Sequence, residues 1–119
     1  MSLSNFTASP LLHDEAQKLI DTLRSALIER CHPDRIILFG SAARGEMTTH
    51  SDLDICLLFI DKVTLKAGRD GYYREKPPID TPCDIIFLTH DEFDLRSARG
   101  GVCQLIKSEG KILYEKEKT

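Results

Sequence analysis

Apolar residues along this chain fall into two rhythms. From residue 10 to 31 they return at three- and four-residue steps, through Leu12, Ala16, Leu19, Leu23 and Ala26 or Leu27. That is the period of a helix with one buried face. Ser9 offers an N-terminal cap and Pro10 suits the first helical position. His32-Pro33 ends the helix, because proline lacks the amide and restricts the residue before it. The rhythm then changes to short unbroken apolar runs at residues 35–39, 53–60 and 85–88, which read as buried strands. Gly40 breaks the first run, and Ser41 can cap a short helix over residues 41–44 that Gly45 closes. Thr89-His90-Asp91-Glu92 has the capping-box form, so a helix starts near His90 and is interrupted or bent at Gly100-Gly101. After a turn at Ser108-Glu109-Gly110, Ile112-Leu113-Tyr114 reads as a closing edge strand, and the polar tail after it as frayed.

Residues 61–81 break both rhythms. Gly68, Gly71, Pro77 and Pro78 stand among many charges, so this stretch reads as a long mobile loop with at most a helical turn at residues 63–66. The elements together predict an α/β (α+β) fold, a small mixed β-sheet flanked by helices, in one domain over residues 1–119.

The chemistry concentrates where the first two strands meet. Gly40-Ser41 follows one apolar run, and Asp52-Leu53-Asp54 opens the next after ten intervening residues. Side chains alternate along a strand, so Asp52 and Asp54 point the same way. Two carboxylates about 4 Å apart repel by roughly 4 kcal/mol at an effective dielectric near 20. A raised pKa or a bound cation relieves that repulsion. Magnesium suits such a site, since it takes one or two carboxylates together with substrate phosphates. Asp84 enters the third strand as Asp54 enters the second; if those strands are neighbours, three carboxylates converge at one end of the sheet. Gly40 lets backbone approach a ligand closely, and the amides after Ser41 favour an anion such as a phosphate. Arg44 can reach a phosphate or pin the loop to an acidic group. Ser51, ahead of the aspartates, is placed to bond local backbone. In the long loop, Arg69, Tyr72, Tyr73, Arg74 and Lys76 read either as a solvated surface or as contacts to base, triphosphate or acceptor.

Charge and cysteine usage narrow the classes. A net charge of -3 argues against stand-alone binding of duplex nucleic acid, which needs a basic footprint. Cys31, Cys56, Cys83 and Cys103 form no C-x-x-C pair and read as reduced thiols, as in a cytoplasmic protein. The four histidines show no zinc spacing. No signal peptide and no membrane-spanning apolar run is evident.

Gly40-Ser41, ten residues, then Asp52-Leu53-Asp54 resembles the signature of the DNA polymerase beta-like nucleotidyltransferase superfamily. The fuller string Gly-Ser-Ala-Ala-Arg-Gly followed by Ser-Asp-Leu-Asp-Ile is similar to its minimal nucleotidyltransferase (MNT) branch, and Asp84 before Ile85-Ile86 matches the third carboxylate. The closing Glu109-Gly110-Lys111-Ile112-Leu113-Tyr114 is also similar to the end of MNT proteins. The resemblance implies a polymerase beta palm-like fold and magnesium-dependent transfer of AMP from ATP to a hydroxyl. It implies that Gly40 and Ser41, with Arg44 and Ser51 as further nucleotide-binding candidates, hold the triphosphate. Asp52, Asp54 and Asp84 would be the catalytic residues and would bind two magnesium ions, Asp84 also helping to deprotonate the acceptor. It further implies an antitoxin that modifies a tyrosine of a HEPN-type toxin partner, as a homodimer or hetero-oligomer. Two other readings are a nucleotide-binding antitoxin that acts by contact alone, and nucleotidyl transfer to a small molecule or RNA. The last usually needs an acceptor-holding domain, and so little chain follows residue 114 that a partner subunit is expected to complete the site.

Overall fold

The computed structural model describes residues 13–117; Ser9, Pro10 and Leu12 lie outside them. The elements run α1 (His13–Cys31), β1 (Arg35–Phe39), β2 (Leu53–Phe59), α2 (Lys62–Arg74), β3 (Cys83–Thr89), α3 (His90–Ser97), α4 (Gly101–Glu109) and β4 (Lys111–Glu115). The four strands form one mixed sheet in the order β3-β2-β1-β4. β1 is antiparallel to β2 and to β4, while β2 and β3 are parallel.

Strand alternation explains the layers. Ile36 and Leu38 of β1, with Ile55, Leu57 and Phe59 of β2, pack against α1 and α2 through Leu23, Leu27 and Leu65. Ile37 and Phe39, with Cys56 and Leu58, pack on the other face against Phe93, Cys103 and Ile106 of α3 and α4. β2 is covered on both faces, which is why its sequence reads as a continuous apolar run rather than an alternating one. The predicted strands are all present, with β2 ending at Phe59 and β3 extended at both ends. Thr89 caps α3 through the expected box with Glu92. Gly100 and Gly101, at φ 94° and 74°, separate α3 from α4 in conformations that glycine adopts without strain.

The long loop read at residues 61–81 is corrected by α2, a helix of 13 residues. Its start is chemically marked. Asp61 accepts from the Thr64 amide at 2.8 Å, and Thr64 Oγ1 accepts in return from the Asp61 amide at 3.3 Å. Gly68 and Gly71 do not break this helix; they let it lie directly on its neighbours. A Cβ at Gly71 would strike the Arg30 carbonyl oxygen of α1, and one at Gly68 would meet the Phe59 ring and the Cys31 carbonyl. Gly71→Ala should therefore destabilise the protein by about 2 kcal/mol or more, despite alanine's better helix propensity. Urea denaturation measures this, and an unchanged or higher midpoint would show that the helices have room to part.

Candidate active site

β1 and β2 bring the two halves of the sequence motif together. Phe39, the last residue of β1, is paired with Asp54 of β2, so the turn leaving β1 lies beside the carboxylates that open β2. Gly40 has φ 76°, and a Cβ there would run into the Asp54 carboxylate. The glycine thus serves both the turn and the approach of the acid.

The short helix expected from Ser41 is instead a tight turn over residues 41–45. The Arg44 amide donates to the carbonyls of Gly40 and Ser41, both at 3.2 Å, and the Glu46 amide donates to Ser41 at 2.8 Å. Gly45, at φ 72°, carries the chain out of right-handed geometry before a second helical turn can form. The amides of Ser41, Ala42 and Ala43 take no part in these bonds. They are the amides that an anion-binding backbone would offer.

Asp84 stands directly beside Asp54 in the parallel β2–β3 pair. The adjacency that sequence alone left conditional is therefore present. Both residues lie on the sheet face that carries α3 and α4, opposite Leu53 and Ile55. Asp52 precedes the first residue of β2 and is exposed, so the strand pleat does not set its direction; its charge still acts on Asp54. The Asp54 carboxyl is held above the ordinary aspartate range, first by burial and then by the charges of Asp84 and Asp52, with Arg44 opposing. Cys83 sits in the same cluster: burial, with Asp52 and Asp84 nearby, pushes its thiol up to about 11. The sequence reads this cysteine only as a reduced thiol, and its neighbour Asp84 is the one local sign of a place in the cluster. A thiol held protonated is a poor nucleophile. All four cysteines are free.

The other predicted positions divide. Arg44 is exposed and held by Glu46 at 2.9 Å and by Glu109 of α4 at 3.3 Å, which ties the turn to the end of α4. Ser51 Oγ accepts from the Thr48 amide at 2.9 Å and shapes the turn before β2. Arg69, Tyr72, Tyr73 and Arg74 belong to α2. Tyr72 is buried, and Asp84 is among the charges that raise its phenol after burial itself, which brings the end of α2 near the carboxylates.

Among the described residues, no group of three or more His, Cys, Asp and Glu forms a ready-made ligand cage. The donor set nevertheless fits magnesium, which is typically held by one or two carboxylates with substrate phosphates completing the shell. The charges of Asp84 and Asp52 both act on Asp54, and Arg44, which opposes them, is itself committed to two glutamates, so negative charge is left at Asp54 for a cation to neutralise.

Comparison with known proteins gives the family and the fold. The family model "Polymerase beta, Nucleotidyltransferase" matches residues 17–119. The Shewanella oneidensis protein adenylyltransferase MntA is 32% identical over 79 residues, covering 66% of this chain and 52% of that protein. The chain thus spans about half the length of this curated relative. A solved structure of a Sulfolobus solfataricus protein assigned as a nucleotidyltransferase shares the fold, with a TM-score of 0.59, 20% identity, and coverage of 88% of this chain and 87% of that one. A toxin-antitoxin structure with AMP-PNP aligns at a TM-score of 0.44 and 22% identity, over 86% of this chain and 74% of that one. Among the described residues no helix is long and apolar enough to cross a membrane.

Proposed function

The chain belongs to the polymerase beta nucleotidyltransferase family, and on that premise we propose that it transfers AMP from ATP to a hydroxyl of a partner protein, a tyrosine of a HEPN-type toxin that it thereby neutralises. One observation carries the chemistry: Asp54, flanked by Asp84 and Asp52, packs against Gly40, so carboxylates and phosphate turn form one site. The Ser41–Ala43 amides receive the β- and γ-phosphates, with Arg44 and Ser51 shaping the turns on either side. Asp52 and Asp54 would hold magnesium with the triphosphate, and Asp84 would join them at the acceptor side. Bound magnesium supplies charge neutralisation on the phosphates and on the leaving pyrophosphate. The acceptor oxygen attacks the α-phosphorus, the bond to the bridging oxygen breaks, and the hydroxyl proton passes to Asp84. Pyrophosphate leaves with the electron pair of the broken bond. The protein class of the acceptor is supported by the similarity to MntA, a protein adenylyltransferase.

The test pairs this protein with the product of the adjacent gene, magnesium and ATP. Intact-mass measurement should show added AMP on the partner with the wild type and none with Asp52→Asn. A stable complex without an adduct, with neutralisation intact in Asp52→Asn, would overturn transfer and leave contact as the mechanism.

A further inference from the structure

We propose that the free edge of β3 is the docking site for the acceptor: an acidic, extended segment of the partner protein adds there as a fifth strand and brings its hydroxyl to Asp84. This rests on the transferase reading above for the role of Asp84; the docking itself does not.

Three observations carry it. β3 ends the sheet and, among the described residues, has no neighbouring strand on its outer side, so a row of its backbone groups is open to pairing. Its apolar residues are not sealed: Ile85, Ile86 and Phe87 are all half-buried, whereas their counterparts in β2 are fully buried. A groove of about 490 Å³ follows this edge between α2 and α3, with Ile86 and Phe87 on its floor.

The rim of that groove is basic in a chain whose net charge is -3. Lys62, Lys66, Arg69 and Arg96 line it, against the single carboxylate of Glu92. Glu92 is already engaged by Lys62 at 3.1 Å and lies 4.0 Å from Arg96. Arg69 makes no salt bridge among the described residues, and Asp70 beside it is taken by Lys66 at 3.0 Å. The surplus is cationic, so the complementary occupant is acidic. A second copy of this chain would set the same cations face to face, which disfavours self-pairing along this edge.

Register links the groove to the chemistry. Asp84 is the second residue of β3. Adjacent strands stand about 4.8 Å apart, so the backbone of the residue added opposite Asp84 lies one strand spacing from the Asp84 backbone. Specificity then comes from two sources, charge along the groove and the position of the hydroxyl in the added strand.

The test measures binding, without nucleotide, of a peptide that alternates Glu with Val and Thr around one tyrosine. The Gln-for-Glu peptide is the control. The acidic peptide should bind and protect amides within β3 from hydrogen exchange. Arg69→Glu combined with Arg96→Glu should weaken it roughly tenfold or more. Equal binding of the two peptides, no binding, protection away from β3, or tighter binding of a single-stranded oligouridine would overturn the proposal. Magnesium–ATP binding to the wild type is measured separately. Its failure would remove the transferase reading while leaving the docking result to be judged on the peptides.

Discussion

Asp54→Asn is expected to cut AMP transfer by about a thousandfold or more while making the metal-free protein more stable at neutral pH. The two effects have one origin. Asp54 is partly buried beside Asp84 and Asp52, so its negative charge is unfavourable until a cation arrives. Asparagine keeps the shape that packs on Gly40 and removes the charge that would hold the metal. Asp52→Ala and Asp84→Ala should likewise abolish transfer and leave the fold intact, because both side chains are exposed.

The pH dependence has a definite sign. The folded-state pKa of Asp54 lies above its ordinary value of 3.8, so the folded protein holds this proton more tightly than the unfolded chain. Across that window stability falls as pH rises, and at pH 7 the wild type carries the whole cost. Urea denaturation in a chelator should therefore show Asp54→Asn ahead of wild type at about pH 7, with the gap closing below about pH 4. An asparagine variant less stable than wild type at neutral pH would mean that Asp54 is a structural acceptor, and the electrostatic account of the cluster would fall.

The strands and the central motif were legible because both rest on local rules. Residues 35–39 and 53–60 are apolar runs cut by Gly40 and by Asp61, and the Gly-Ser to Asp-x-Asp spacing survives a one-residue difference in where β2 ends. α2 was not legible, because Gly68 and Gly71 read as breakers when only propensity is considered. Their cost is offset by helix-on-helix contact with Arg30 and Cys31, partners some forty residues away. The signal that could have rescued the helix was Asp61 with Thr64, a box weaker on paper than the Thr89–Glu92 box that was recognised. The turn at residues 41–45 reads as a short helix in the sequence because the same capping residues open both; Gly45 comes too early for a second helical turn.

Long-range pairings stayed hidden for a different reason. Arg44 and Glu109 are 65 residues apart, and nothing local to either names the other. The basic groove is divided between α2 and α3, so a chain of net charge -3 conceals it. By contrast, the meeting of Asp54 and Asp84 was legible as a condition. Each stands at the start of an apolar run, and only the order β3-β2 was needed to place them side by side.

Gly40→Ala should be the most damaging change that replaces no functional side chain. Alanine at φ 76° costs about 1–2 kcal/mol in backbone strain. Its methyl would also strike the Asp54 carboxylate, so either the turn or the acid must move. A shift of about 1 Å in a group that positions a reacting centre can cost roughly a hundredfold in rate. Transfer should therefore fall by about a hundredfold or more, with stability reduced by about 2 kcal/mol. Combining Gly40→Ala with Asp54→Ala separates the two causes. Measured against Asp54→Ala alone, so that the effect of losing the Asp54 charge cancels, Gly40→Ala should cost only the part due to strain, because nothing then opposes the new methyl. If Gly40→Ala costs as much in that background as in the wild type, the damage lies wholly in the left-handed backbone, and the contact between the phosphate turn and the carboxylate is not what couples the two halves of the site.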